Sequence, residues 1–188
     1  GFKVTAYGIH HYQNSQIPPI AGLNNKWLRS PQNSTLEKPL AALASTVSAA
    51  LSDVDVILML GVSPALLAGL PKILNKRIII NLDGLEWKRP KWGLMAKCYL
   101  YLSELCAKHL ANETIVDSLA LKKHHQSKYH KEPIYIPYGT KLTSPEPADQ
   151  NTLEAYGLKP EGYLLQVCRL VPENNTDWII QEYEKSGL

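Results

Sequence analysis

The chain has no apolar run approaching the roughly 20 residues that span a bilayer, so no membrane-spanning helix is expected. No basic start precedes an apolar stretch, which argues against a secretory signal. Its three cysteines do not form a disulfide framework. Cys98 and Cys106 fall on one expected helix, about 12 Å apart along its axis, too far to bridge. A reduced, cytoplasmic setting fits this usage, and the sequon matches Asn33-Ser34-Thr35 and Asn112-Glu113-Thr114 are then chance. The Gly-x-Ser-x-Gly elbow and the glycine-rich phosphate loop with its lysine are missing, so hydrolase and P-loop NTPase readings lack anchors. No Gly-x-Gly-x-x-Gly follows any expected strand, which weakens a dinucleotide-dependent oxidoreductase. The six histidines show no zinc-like pairing. A net charge of +3 does not make the chain a nucleic-acid binder as a whole.

What is present is an alternation of strands and helices, the pattern of a parallel sheet with covering helices. Gly1–Tyr7 opens as a strand. The segment 8–53 is hard to read, with a strand expected within Ala21–Leu28 and a helix over Leu36–Leu51. Val54–Leu60 is a nearly continuous apolar strand, as when both sheet faces are covered. Ser63 is expected to cap a helix from Pro64 to about Ile73, distorted near Pro71. The strand Ile78–Leu82 follows, then a helix from Gly93 to His109 with Met95, Cys98, Leu102, Leu105 and His109 as its buried stripe. Lys97, Glu104 and Lys108 fall on the outer side of that helix, with Glu104 and Lys108 as an i,i+4 pair. Thr114–Val116 and Ile134–Ile136 complete the sheet, separated by a helix capped at Asp117 or Ser118 and running to about Tyr129. Thr143–Gln150, polar and proline-rich, reads as a linker. After it come a strand at Tyr163–Cys168, a loop at Arg169–Asn175 and a final helix.

The stretch Asp83-Gly84-Leu85-Glu86-Trp87-Lys88-Arg89-Pro90-Lys91-Trp92 carries the most chemistry. In an open α/β sheet, the region past a strand's carboxyl end is where ligands bind. Polar or glycine-bearing turns follow other expected strands as well: Gly61-Val62-Ser63, Asp117-Ser118, Tyr138-Gly139 and Arg169–Asn175. In a parallel sheet such turns gather along one edge. Each is also an ordinary connection when taken singly, and Glu86 is equally a first-turn acid complementing a helix dipole. Lys88, Arg89 and Lys91 alone would be a solvated charge run. Interleaved with Trp87 and Trp92, they suit a phosphate or a bilayer headgroup region. Arg169 has the planar fork that recognises phosphate bidentately, and taken alone it reads equally as a surface ion-pair partner. His124 and His125, with Lys122, Lys123 and Lys128, read as a solvated helix face, and His10-His11, which follow the first strand in a position to edge the cleft, are assigned no role.

With these residues in view, the chain resembles nucleotide-sugar glycosyltransferases of the GT-B fold in the retaining family four. Within it, the rhamnosyltransferase-like group of bacterial polysaccharide gene clusters is the nearest likeness. The resemblance rests on Asn81–Arg89, then Ile136-Pro137-Tyr138-Gly139, then Arg169-Leu170-Val171-Pro172-Glu173-Asn174. It implies a Rossmann-like parallel sheet with helices on both faces, followed by the start of a second α/β domain. The implied layout is an acceptor-side domain at 1–142, a linker at 143–151 and the first β-α unit of the donor domain at 152–188.

The resemblance further implies Asp83 and Glu86 at the catalytic cleft, with Gly61, Ser63, Gly84, Tyr138 and Gly139 lining it. Arg169 and Asn174 would meet the donor diphosphate, although relatives often carry lysine at the second of these positions. The implied substrates are a nucleotide-diphosphate sugar, leaning toward deoxythymidine-diphosphate rhamnose, and a lipid-linked saccharide acceptor. No metal, other cofactor or nucleic acid is required. Trp87, Lys88, Arg89, Lys91 and Trp92 would face the acceptor phosphates or the inner-leaflet surface, which makes the protein cytoplasmic or peripheral at that membrane. The alternative is a non-catalytic nucleotide-sugar-binding or interaction module of the same fold. The glycine-rich first loop expected before Gly1, and the paired-glutamate segment expected after Leu188, would make this chain a piece of a longer enzyme. The piece alone should therefore transfer no sugar, and turnover by this chain with a nucleotide-sugar donor would contradict that expectation.

Overall fold

A computed structural model describes residues 1–13, 20–33, 36–140 and 150–187. Most of the expected linker and part of the first sequon lie outside them. The chain divides into two compact units, Gly1–Gly139 and Thr140–Leu188.

The first unit is α/β with parallel sheets flanked by helices, a Rossmann-like arrangement. Strands β1 (Val4–Ile9) and β2 (Leu23–Leu28) form a parallel pair, followed by helix α1 (Glu37–Ala50). Strand β3 (Val56–Leu60), the short helix α2 (Gly69–Ile73), β4 (Arg77–Asn81), α3 (Leu94–Leu110), β5 (Glu113–Val116), α4 (Leu119–Tyr129) and β6 (Ile134–Tyr135) complete the unit. The larger sheet has the order β3-β4-β5-β6, every pair parallel. Among the described residues no helix is long and apolar enough to cross a membrane.

Period-two alternation decides what this sheet buries. Ile57 and Met59 on β3, Ile78 and Ile80 on β4 and Val116 on β5 enter the core with Val62, Ala65, Leu100 and Ala107. The intervening Val56, Leu58 and Leu60 are exposed. The two covered faces expected for β3 are thus met on one side only. Gly8 on β1 stands opposite Trp27 on β2, and a Cβ there would lie 2.4 Å from the indole ring.

The connection after β3 departs from expectation. Residues Ser63–Ala68 form a 3-10 helix that passes into α2, and the N-cap is Val62 rather than Ser63. Instead of capping with its hydroxyl, Ser63 uses its carbonyl to accept a bond from the Tyr99 hydroxyl at 2.8 Å. At α4 the expected cap is in place: Ser118 Oγ accepts the Leu121 N–H at 3.2 Å. His130 ends that helix in the left-handed conformation, one that only a few non-glycine types adopt readily.

Helix α3 buries a different face from the expected one. Leu100, Ser103, Glu104 and Ala107 are its buried residues, while Met95 and Leu102 are exposed. The spacing is helical as predicted, but the stripe is turned around the axis. Glu104, which the apolar pattern puts outside, lies on the buried face with Leu100 and Ala107.

In the second unit, α5 (Gln150–Ala155) and α6 (Thr176–Ser186) are joined through a 3-10 turn at Pro172–Asn174. The expected strand Tyr163–Cys168 does not form. A strand requires a ladder partner, none exists among the unit's described residues, and Leu164, Leu165 and Val167 are exposed.

Truncating Ile80, which is fully buried in the central strand, to alanine should cost about 2–5 kcal/mol. Val56→Ala on the open face should cost far less. A urea titration of both variants checks this, and equal midpoints would contradict the assigned core.

Candidate functional site

The parallel order of β3 to β6 brings their carboxyl ends to one edge of the larger sheet. The ladder continues one step beyond each strand. Gly61 N–H donates to the Asn81 carbonyl at 3.0 Å, Leu82 N–H to Ile115 at 2.8 Å, and Ile136 N–H to Val116 at 2.9 Å. The turns therefore leave the sheet in register. Gly61 has φ of 95°, a left-handed backbone suited to glycine, and turns the chain beside the Asp83 loop. Gly61, Ser63, Asp83, Gly84, Tyr138 and Gly139 all lie on turns of this edge, with Tyr138 and Gly139 exposed beyond β6.

The loop after β4 is held by its own side chains. Residues Glu86–Lys88 form a 3-10 turn, which brings Arg89 back toward Glu86. Glu86 Oε1 accepts from Arg89 Nη1 at 2.6 Å, and Glu86 Oε2 accepts the Trp92 indole N–H at 3.4 Å. Glu86 is therefore occupied as a clasp across the loop. Asp83 is exposed, and among the described residues no hydrogen bond or ion pair engages its carboxylate.

The two indoles are turned partly inward. Trp87 and Trp92 pack against the hydrophobic core. The Trp87 indole N–H donates to Glu104 Oε2 at 2.7 Å, and its ring meets Tyr101 edge-on at a centroid distance of 5.4 Å. Lys88 and Lys91 remain exposed, their ammonium groups 5.3 Å from the Trp87 ring centroid and 4.7 Å from that of Trp92. Lys88 and Lys91 are thus the exposed cations of this loop, while the Arg89 guanidinium is bonded to Glu86.

Behind the loop lies a polar cluster on the face of α4 expected to be solvated. Glu104 is 2% exposed. Its Oε1 accepts from the Tyr129 hydroxyl and from Lys128 Nζ, the latter at 3.3 Å. The Lys128 ammonium sits 4.7, 4.8 and 4.6 Å from the ring centroids of Trp87, Tyr101 and Tyr129. This is a cation enclosed by aromatic faces. His125 is buried and lies against the Tyr129 ring. A cavity of about 10 Å³ beside it, lined by Glu104, Thr114, Tyr129 and Lys131, has room for about one water molecule. Burial lowers the pKa of His125, opposed by Glu104 and assisted by His124 and Lys128. Burial likewise lowers that of His124, with Lys128 and Lys88 adding to the effect. Burial, followed by the hydrogen bond to Glu104, raises the Tyr129 phenol far above its ordinary range.

The sequence pattern missed this cluster, but two residues signalled it. A partly buried indole needs an acceptor for its N–H, and Glu104 is the one acid on α3. At the end of β1, His11 pairs with the buried Glu37 at 3.4 Å, so it braces α1. The groove beside it, about 230 Å³, is lined by Tyr7, Gly8, Leu28, Lys38 and Ser45.

In the second unit, Arg169 is exposed at the start of its loop. Asn174 Nδ2 donates to the Arg169 carbonyl at 2.7 Å, and the Asn174 carbonyl accepts from Gln166 Nε2 at 3.3 Å. Asn174 therefore closes the loop that presents Arg169.

Residues 65–141 match the model of a family described as a domain of unknown function (DUF1972), a domain found in glycosyltransferase-associated proteins. The matched stretch runs from the connection after β3 through the Asp83 loop to Tyr138-Gly139. No curated protein matches the chain.

The lowered histidines give stability a pH dependence of definite sign. The unfolded chain takes up these protons near the ordinary value of 6.5, and the folded protein only at lower pH. Stability from this source is complete above 6.5 and is lost as pH falls below it. Replacing His125 by Gln should flatten the fall in urea midpoint between about pH 7.5 and pH 5. An unchanged fall would contradict the assignment.

Proposed function

We propose that this chain is the acceptor-side part of a retaining glycosyltransferase using a nucleotide-diphosphate sugar, with rhamnose the favoured sugar and a lipid-linked saccharide the acceptor. The observation that carries the reading is the Asp83 carboxylate. It is exposed and unengaged among the described residues, on a loop braced by Glu86, Arg89 and Trp92 at the carboxyl edge of a parallel sheet. The match of residues 65–141 to a domain found in glycosyltransferase-associated proteins supports the same reading.

In this proposal Asp83 accepts a hydrogen bond from a sugar hydroxyl or steadies positive charge at the anomeric carbon. A fixed negative charge stabilises a developing cation at little reorganisation cost. A donor phosphate oxygen takes the acceptor proton, so no protein nucleophile is required. Glu86 acts by holding the loop rather than by touching substrate. Arg169 supplies charge for the donor diphosphate, and Asn174 shapes its loop. Lys88 and Lys91 offer the cations for acceptor phosphates or an anionic leaflet, so the contact there is electrostatic rather than one of inserted indoles.

A non-catalytic nucleotide-sugar-binding module is the second reading. Asn174 favours it, because a side chain spent on the Arg169 carbonyl adds no charge at the diphosphate.

The test is a donor-by-acceptor screen on the intact protein. Asp83→Asn should lower kcat roughly 100-fold with folding retained. Glutamate at positions 88 and 91 should weaken binding to anionic vesicles by at least about tenfold, since each lysine near such a surface is worth about 1 kcal/mol. Turnover unchanged in Asp83→Asn, or no turnover with any donor despite donor binding, would favour the module.

A further inference from the structure

The Glu104 cluster has no part in the chemistry proposed above, yet it is built at considerable cost. Burying a carboxylate is unfavourable unless its oxygens are paired with good geometry. Here they meet a donor from each of three sources: the Trp87 indole, the Tyr129 hydroxyl and the Lys128 ammonium. Two of those donors come from α4, and the third comes from the loop that carries Asp83. Trp87 makes a second link, since its ring is one wall of the enclosure around Lys128. The loop is thereby anchored to two helices at one residue, four positions after Asp83. Among the described residues Glu86, which clasps the same loop, bonds to Arg89 and Trp92 within it. Internal clasping sets the loop's shape. The Trp87 hydrogen bond ties that shape to the helices behind, beside the apolar packing of Trp87 and Trp92 on the core.

We infer that Glu104 is a positioning residue for the Asp83 loop, acting through the Trp87 indole N–H. Its consequence for sugar transfer rests on the function proposed above, whereas the anchoring itself does not. A displacement of about 1 Å at a reacting centre can cost around 100-fold in rate, so loosening the anchor should lower kcat and leave donor affinity alone.

The decisive variant in the intact protein is Trp87→Phe, which keeps an aromatic wall and removes the indole N–H. Glu104→Leu, which removes the acceptor for the indole N–H, is the second variant should the first fold poorly. Hydrogen exchange followed by mass spectrometry should show at least tenfold faster exchange in peptides covering 83–92. Peptides from β4 and from the Ser118 cap should be unaffected. Where sugar transfer is measurable, kcat should fall about tenfold with the donor KM unchanged. Exchange in 83–92 that stays within twofold of the parent, or that rises equally across the unit, overturns the inference. Exchange is read without reference to substrate, so failure of the sugar-transfer reading and failure of the anchoring are separate results.

Discussion

A single buried carboxylate organises the region around the candidate site. Glu104 lies where an apolar residue would be expected, and its charge is tolerated because three donors converge on it. Removing one partner of such a set is costly, since the charge remains and its compensation does not. That asymmetry explains why α3, α4 and the loop after β4 have to be considered together. Helix α3 presents the acid, α4 presents Lys128 and Tyr129, and the loop closes over them with Trp87.

The constraint also divides the labour within the loop. Glu86, Arg89, Trp87 and Trp92 are committed to one another or to the helices behind. Asp83 faces outward with the exposed Lys88 and Lys91. A loop with an immobilised interior and a free acid at its start suits a site that must hold charge still against a ligand. The backbone contributes as well: the carbonyl of Asn81 is bonded to Gly61 and the N–H of Leu82 to Ile115, so Asp83 begins one residue beyond a fixed ladder.

Much of this was legible in the residues. The β4 strand with its Asp-Gly exit and a cap at Asp117 or Ser118 follow from period, propensity and capping chemistry, and β2 and α1 fall where a strand and a helix were expected within the hard-to-read segment 8–53. The parallel sheet with its edge of turns follows from strand and helix alternation. Other features were hidden for identifiable reasons. Periodicity treats every charged residue as outward-facing, so it could not place Glu104 inside without knowing its three partners. The same rule put His125 and Lys128 on a solvated face, although His125 packs on Tyr129 and Lys128 is enclosed by rings. Trp87 looked like a surface anchor because its acceptor, Glu104, lies 17 positions on, and Trp92 because Glu86 in the same loop reads equally as a first-turn acid. Tyr163–Cys168 reads as a strand by composition, but composition supplies no neighbour for it to pair with.

The most direct test is a double-mutant cycle between Trp87 and Glu104, using Trp87→Phe and Glu104→Leu with stabilities from urea unfolding. A hydrogen bond to a charged group predicts a coupling energy of about 1.5–3 kcal/mol between the two positions. Additive effects, with coupling within about 0.3 kcal/mol of zero, would contradict the account. They would mean that the loop and the buried acid are neighbours without being joined.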